Sequence, residues 1–169
     1  DVGYLSGFTG DDSFLLLADD WAVLLTDGRY TEQAEAECPG IEVFTRDGRM
    51  SAAVAKVLDG RKVRRLAVQA EHVTIQLRDA LDQALGSRKL VPVVGFASAQ
   101  RVRKDAAEVR IMKRAVRIAQ RAFRAMIAEG ADHLVGRSER QIAAELEHRM
   151  RDLGAEAAAF PSIVAAGPN

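Results

Sequence analysis

Cysteine is almost absent from this chain: Cys38 stands alone, so no internal disulfide can form, in keeping with a reducing, cytoplasmic setting. An excess of either charge sign is also missing, because 24 basic and 24 acidic side chains cancel to a net charge of zero. That balance removes the usual electrostatic case for a nucleic-acid partner. No stretch approaches the roughly 18 uninterrupted apolar residues of a membrane-spanning helix, and no membrane partner is expected. Histidine is scarce, with only His72, His133 and His148, which leaves little from which to build a metal centre. Aromatic residues make up 5% of the chain, yet 48% of it is apolar and 28% charged, a composition that suits a folded globular chain rather than a disordered one.

The familiar catalytic signatures are missing too. No Gly-x-Gly-x-x-Gly follows a strand, no glycine-lysine phosphate loop is present, and no Gly-x-Ser-x-Gly elbow occurs. Glu145-x-x-His148 is a single helical carboxylate–imidazole step, whereas di-metal bundles need two such steps and further glutamates. His148 beside Arg149 and Arg151 reads as a surface residue. Asp11-Asp12 and Asp19-Asp20 are adjacent carboxylates that point apart, and they read as turn formers. Cys38, before Pro39 at a helix stop, reads as an inert thiol.

What is present is a change of pattern near residue 100. Up to that point strands and helices alternate. Residues 13–18 and 21–26 are apolar runs around Asp19-Asp20, a hairpin. Residues 29–37 form a short helix stopped by Pro39-Gly40, 41–44 a strand, 50–58 a helix and 66–68 a strand. Thr74 caps a helix carrying Leu77, Leu81 and Leu85, and Pro92 marks residues 90–94 as an edge strand. The result is an α/β layer with a mixed sheet. From Lys104 to about Glu129 the chain lacks proline and glycine and is strongly helical. Apolar residues from Ile111 to Ile127 fill one broad side, and Arg110, Lys113, Arg114, Arg117, Arg121 and Arg124 the other. That basic arc reads as a solvated or acid-paired face, since no aromatic residue interleaves it. Ser138 and Gln141 open a second helix with a capping box.

Up to residue 100 there are 15 acidic and 11 basic residues, a balance of −4; beyond it there are 9 and 13, or +4. Domains are therefore expected at 1–100 and 101–169. Residues 160–166 read as a strand with nothing after it to pair with. Two helices and one strand cannot cover so broad an apolar stripe, so the chain is expected to be a piece of a longer protein.

Tyr4-Leu5-Ser6-Gly7-Phe8-Thr9-Gly10, followed by Leu24-Leu25-Thr26-Asp27-Gly28-Arg29-Tyr30-Thr31-Glu32-Gln33-Ala34, resembles the N-terminal domain of Xaa-Pro aminopeptidases and prolidases. These are the creatinase-like, pita-bread metallopeptidases. The likeness continues through Arg101–Val109, through Ala143–Glu147 and into Phe160–Asn169. It implies a mixed-sheet creatinase-type N-terminal domain, clipped at its start, followed by the first two helices and first strand of a pita-bread α+β catalytic domain. It further implies hydrolysis of the bond before proline in proline-containing peptides, two divalent metal ions, commonly manganese, and a homodimer. The metal ligands of such enzymes, two Asp, one His and two Glu, would all lie beyond Asn169. No catalytic or metal residue is therefore assigned here, and the chain alone is expected to be inactive. Asp27, Arg29 and Tyr30 are candidates for a corner near the subunit contact, and Phe160 and Asn169 for the edge of a substrate pocket. Packing, capping and turn roles for the same five residues stay open. Two other readings also stand: a non-catalytic interaction module of the same fold, and a creatinase-type amidinohydrolase that works without metals.

Overall fold

The computed structural model describes residues 1–167. The elements run α1 (Val2–Ser6), β1 (Phe14–Leu17), β2 (Ala22–Asp27), α2 (Thr31–Glu37), β3 (Glu42–Arg46), α3 (Met50–Leu58), β4 (Arg65–Gln69), α4 (Ile75–Leu85) and β5 (Lys89–Val93), and then α5 (Phe96–Val102), α6 (Ala106–Ala128), α7 (Ala131–Leu134) and α8 (Glu139–Asp152). The chain forms two compact units, the first comprising Asp1–Val102 and the second beginning at Arg103.

In the first unit, β1 and β2 form the expected hairpin, with Phe14 opposite Leu25 and Leu17 opposite Ala22. The Ala18 N–H donates to the Trp21 carbonyl at 2.9 Å, so Asp19 and Asp20 sit at the tip. Beyond α2 the chain returns as β3, parallel to β2, with Asp27 opposite Arg46. The three strands make one mixed sheet in the order β1-β2-β3, and β4 and β5 make a separate parallel pair. Pro92 falls within β5, which among the described residues pairs with β4 alone, in keeping with a residue that lacks an N–H.

Val23, Leu24 and Leu25 are all fully buried. Consecutive strand residues face opposite ways, so β2 is covered on both sides, which explains why it reads as a continuous apolar run. On one side Val23 and Leu25 join Val54, Val57 and Leu58 of α3 and Leu81 and Leu85 of α4. On the other, Leu24 packs with Phe8, Ala34 and Cys38. Cys38 is thus an interior residue. At the edge of this core Arg61 lies over the Trp21 ring at 4.8 Å and bonds Glu42 at 2.9 Å. α4 starts as expected, with the Thr74 hydroxyl accepting from the Leu77 N–H at 3.1 Å.

The second unit is a helical pair. α6 opens on a capping box made by Asp105 and Glu108, and α8 on one made by Ser138 and Gln141. α6 buries Ile118, Ala122 and Met126, spaced four apart on one stripe, and it packs against α8. The rest of the apolar side of α6, including Met112, Val116, Phe123 and Ile127, is exposed. The six cations of the opposite arc are exposed as well, as a solvated face requires.

The strand expected over residues 160–166 is not formed. Strand geometry persists only where backbone groups find a ladder partner, and the Ala166 N–H instead donates to the Glu139 carboxylate at 2.8 Å. Three short helices, α1, α5 and α7, were not expected from the sequence.

Candidate functional site

The residues of the two N-terminal motifs, some twenty positions apart, converge at one end of the first unit. Asp27 closes β2, and the two-residue step to Arg29 folds the guanidinium back onto its carboxylate. Asp27 Oδ1 accepts from the Arg29 backbone N–H and Nε, both at 3.0 Å, while Oδ2 accepts from Nη2 at 2.7 Å. The parallel register brings Arg46 alongside, with Nη2 at 3.5 Å from Asp27 Oδ2 and also bonded to Asp12. Asp12 reaches this position from a left-handed backbone conformation (φ 46°). The Arg29 side-chain hydrogen bond, followed by its backbone N–H, holds the Asp27 carboxyl down at about 2. The same carboxylate raises Arg29 above its already high value. Arg29 is nevertheless largely exposed while Asp27 is not, so the pair presents a fixed guanidinium to the outside.

Tyr30 begins α2. Its ring carries Arg29 at 5.2 Å on one side and meets the Phe8 ring edge-on, with centroids 6.1 Å apart at 89°. Gly10 is wedged against this pair. A Cβ there would lie 2.3 Å from Phe8 Cζ and 2.9 Å from Tyr30 Cδ1, so only glycine fits. From the other flank the Glu37 carboxylate accepts from the Thr9 backbone N–H at 2.7 Å and its hydroxyl at 2.8 Å, and these bonds lower its pKa. The loop after α1 is thereby tied to α2. The arrangement is a rigid, charged corner without a nucleophile or an acid–base pair. It can present a recognition surface, but it does no chemistry of its own.

Phe160 is exposed in the second unit, remote in sequence from that corner, and Asn169 lies outside the described residues.

One cluster escaped the sequence reading. Glu129 follows α6, His133 lies in α7, and Glu145 and Arg149 lie in α8. His133 Nδ1 is 3.0 Å from Glu129, and its Nε2 is 3.0 Å from Glu145. Glu145 also accepts from Arg149 Nε at 2.7 Å and from Arg137, while Glu129 accepts from Arg149. Hydrogen bonding from Arg137 is the main reason the Glu145 carboxyl is held at about 2. The signal was available: Glu129, His133 and Arg137 are spaced four apart, as are Glu145 and Arg149. The Glu145–His148 step considered instead is not closed, since His148 is exposed and among the described residues pairs with Asp152, at 3.5 Å.

Among the described residues this is the one group of three His, Asp or Glu side chains close enough to share a cation. Its chemistry does not fit a metal centre. Two guanidiniums already neutralise both carboxylates, and a divalent ion would have to displace them. Nor does it match a set of two Asp, one His and two Glu. It is an ionic clasp joining the end of α6, α7 and α8.

Similarity to known proteins agrees with this division of the chain. Residues 1–103 match the creatinase/prolidase N-terminal domain, and residues 110–169 match metallopeptidase family M24. An uncharacterized peptidase, YqhT, of Bacillus subtilis is 32% identical over 166 residues, spanning 98% of this chain and 46% of that protein. The crystal structure of an X-Pro aminopeptidase from Thermotoga maritima superposes with a TM-score of 0.86 at 34% identity, covering 95% of this chain and 45% of the other. The N-terminal domain of the cytoplasmic peptidase PepQ from Mycobacterium tuberculosis, solved by itself, is 35% identical with a TM-score of 0.53. That match covers 58% of this chain and 78% of the domain. The chain thus spans a little under half the length of the first two. With its N-terminal 103 residues matched throughout, the chain belongs to the creatinase/prolidase N-terminal domain family.

Proposed function

We propose that this chain is the N-terminal portion of a metal-dependent peptidase that hydrolyses the bond before proline in Xaa-Pro substrates. The observation that carries this reading is the succession of the two family matches along one polypeptide, in the same order and with a structural likeness that spans 95% of the chain. This chain's contribution is structural, the metal ligands belonging to the rest of the parent protein. Its domains are residues 1–100 and 101–169. The Asp27–Arg29–Tyr30 corner borders the neighbouring subunit of a homodimer, offering a fixed cation and an aromatic face, while Phe160 and Asn169 edge the substrate pocket in the complete protein. The metal is manganese and the setting cytoplasmic.

The test is to assay the complete parent protein on Xaa-Pro dipeptides and longer Xaa-Pro peptides, with manganese and after chelation. Hydrolysis that is lost with the metal and restored by manganese is expected, together with no turnover by the 169-residue chain. Cleavage of creatine without metal, or no hydrolysis of any Xaa-Pro peptide, would overturn the proposal. Sedimentation of the parent with Arg29→Glu checks the corner, the expected result being a weakened dimer with unchanged folding.

A further inference from the structure

The first unit carries three Asp-Gly steps, Asp27-Gly28, Asp47-Gly48 and Asp59-Gly60, and the fold treats them differently. An aspartate's side-chain carboxyl carbon lies within reach of the next residue's backbone nitrogen, and the two can close a five-membered ring. Glycine in second place has no Cβ to obstruct that approach and leaves the backbone free to turn. Two conditions then decide whether the ring closes. The carboxyl must be free to lose an oxygen as water, and the bond from the aspartate's Cα to its carbonyl carbon must be free to rotate. At Asp27 neither holds. The Arg29 backbone N–H, Nε and Nη2 all bond its carboxylate, which keeps it ionised, and the first of these bonds closes a turn around the bond that would have to rotate. At Asp59 the carboxylate is exposed but the backbone is fastened: the Asp59 N–H donates to the Lys56 carbonyl at 3.1 Å and the Arg61 N–H to the Leu58 carbonyl at 3.2 Å.

At Asp47 both conditions hold. Its side chain is 91% exposed, and among the described residues its ion pair is with Lys56, itself exposed, at 3.7 Å. Asp47 and Gly48 form a bend between the end of β3 and the start of α3. Among the described residues the N–H of neither meets an acceptor, and the tie on the bend is a side-chain one, from Arg46 Nη1 to the Gly48 carbonyl at 2.8 Å. Nothing in the fold requires glycine at 48, since a Cβ there would meet nothing within 4 Å and the backbone is not left-handed.

We propose that Asp47 is a site of spontaneous covalent modification, where the peptide link to Gly48 migrates onto the side chain to give isoaspartate, and that this change unfastens Arg46. In the first step the bond from Gly48 N to Asp47 Cγ forms and one carboxyl C–O bond breaks. Water leaves, made of that oxygen, the amide proton and the carboxyl proton. In the second step water adds to either carbonyl of the ring. Addition at Cγ restores Asp47, while addition at the former main-chain carbonyl leaves the chain running through Cβ and Cγ. Mass and formal charge return to their starting values, and no oxidant, cofactor or enzyme is required. The isomer carries one extra backbone atom, about 1.5 Å of added chain, at the point where Arg46 reaches Gly48. Arg46 is shared: Nη1 holds Gly48, and Nη2 holds Asp12 and approaches Asp27 at 3.5 Å, while Nε is buried with no partner among the described residues. Lengthening the bend therefore reaches the Asp27–Arg29–Tyr30 corner through a single guanidinium.

The test incubates the full-length protein in warm neutral buffer, folded and in urea. Each sample is then digested with a protease that cuts before aspartate but not before isoaspartate, and the peptides are fragmented by electron transfer to place the isomer. In the folded protein isoaspartate is expected at Asp47 at least about tenfold faster than at Asp27 or Asp59, the factor by which one intact hydrogen bond to a charged group holds back opening. In urea the three rates should come together. Gly48→Ala and Asp47→Glu should each abolish the product in the folded protein, the second while keeping a carboxylate beside Lys56. In the purified isomer, peptides spanning Arg29 should exchange their amide hydrogens faster than in the fresh protein. Three results would overturn the proposal. One is no isoaspartate at Asp47, or equal amounts at the three steps, in the folded protein. Another is the same ranking in urea, which would make the selectivity a property of the flanking residues and not of the fold. The third is unchanged exchange around Arg29 in the isomer. Peptidase activity enters none of these readings, so this inference and the proposed function can fail separately.

Discussion

In the first unit a sheet is covered on both faces, and β2 has four consecutive residues without any solvent contact; in the second, a 23-residue helix buries three residues and leaves a second apolar stripe bare. The helix of the second unit is locally the better specified of the two. It has a complete capping box, no breaker along its length and a clean division into apolar and cationic arcs. The strands of the first unit are short and depend on distant partners. Local determination and tertiary completeness are therefore separate properties: α6 is written into its own residues, while β2 holds because α2, α3 and β3 close over it. The exposed stripe of α6 is the kind of feature that marks a surface awaiting cover.

This contrast gives a graded set of expectations. The largest effect should come from truncating the doubly covered strand. Leu25→Ala is expected to destabilise the first unit by about 2–5 kcal/mol, whereas Phe123→Ala on the bare stripe should stay within about 0.5 kcal/mol of the parent. Denaturant unfolding of both variants checks this, and equal costs would mean that the stripe is covered in solution. Next comes Gly10→Ala, whose new methyl overlaps the Phe8 and Tyr30 rings. A loss of about 1–3 kcal/mol is expected, accompanied by faster amide exchange in the loop before β1. An unperturbed protein would show that the corner yields easily and is a poor candidate for a rigid recognition surface.

The smallest effect is electrostatic and is largest at one carboxylate in each unit. Asp27 and Glu145 both have folded pKa values of about 2, below their ordinary values of 3.8 and 4.5. A depressed folded pKa contributes stability that is fully present above the unfolded value and is lost as pH falls through the folded one. Thermal melts should therefore be flat from pH 7 to about 5 and decline between about pH 4.5 and 2. Asp27→Asn should flatten that decline in the first unit and Glu145→Gln in the second, each without altering the other. A pH response that vanishes in both units with one substitution would contradict two independent networks.

Much of this fold could be read directly. The hairpin around Asp19-Asp20, the Thr74 cap, the proline-marked edge at Pro92 and the two long helices α6 and α8 follow from local chemistry, and the structure has each of them. The short helices α1, α5 and α7 have no periodicity long enough to register. The strand over residues 160–166 failed for the opposite reason: its apolar pattern is clear, but a pattern does not supply a partner edge. The Asp27–Arg29–Tyr30 element could be picked out as a unit from resemblance. Its closeness to Asp12, Arg46 and Phe8, however, depends on strand register and on the space left by Gly10. The clasp around Glu145 was legible in principle from its four-residue spacings, but Gly130, which interrupts the helix between Glu129 and His133, hides them from a search along continuous helices.

The stacking of Arg61 on Trp21 has a practical consequence. Trp21 is the single tryptophan and Tyr4 and Tyr30 are the two tyrosines, so every strongly emitting side chain belongs to the first unit. Each of the three has a guanidinium over its ring, at 4.8, 5.5 and 5.2 Å respectively. Intrinsic fluorescence thus follows the sheet-bearing half alone, and the helical half is optically silent except for its contribution to circular dichroism. Recording both signals during one titration separates the melting of the two halves with no label attached.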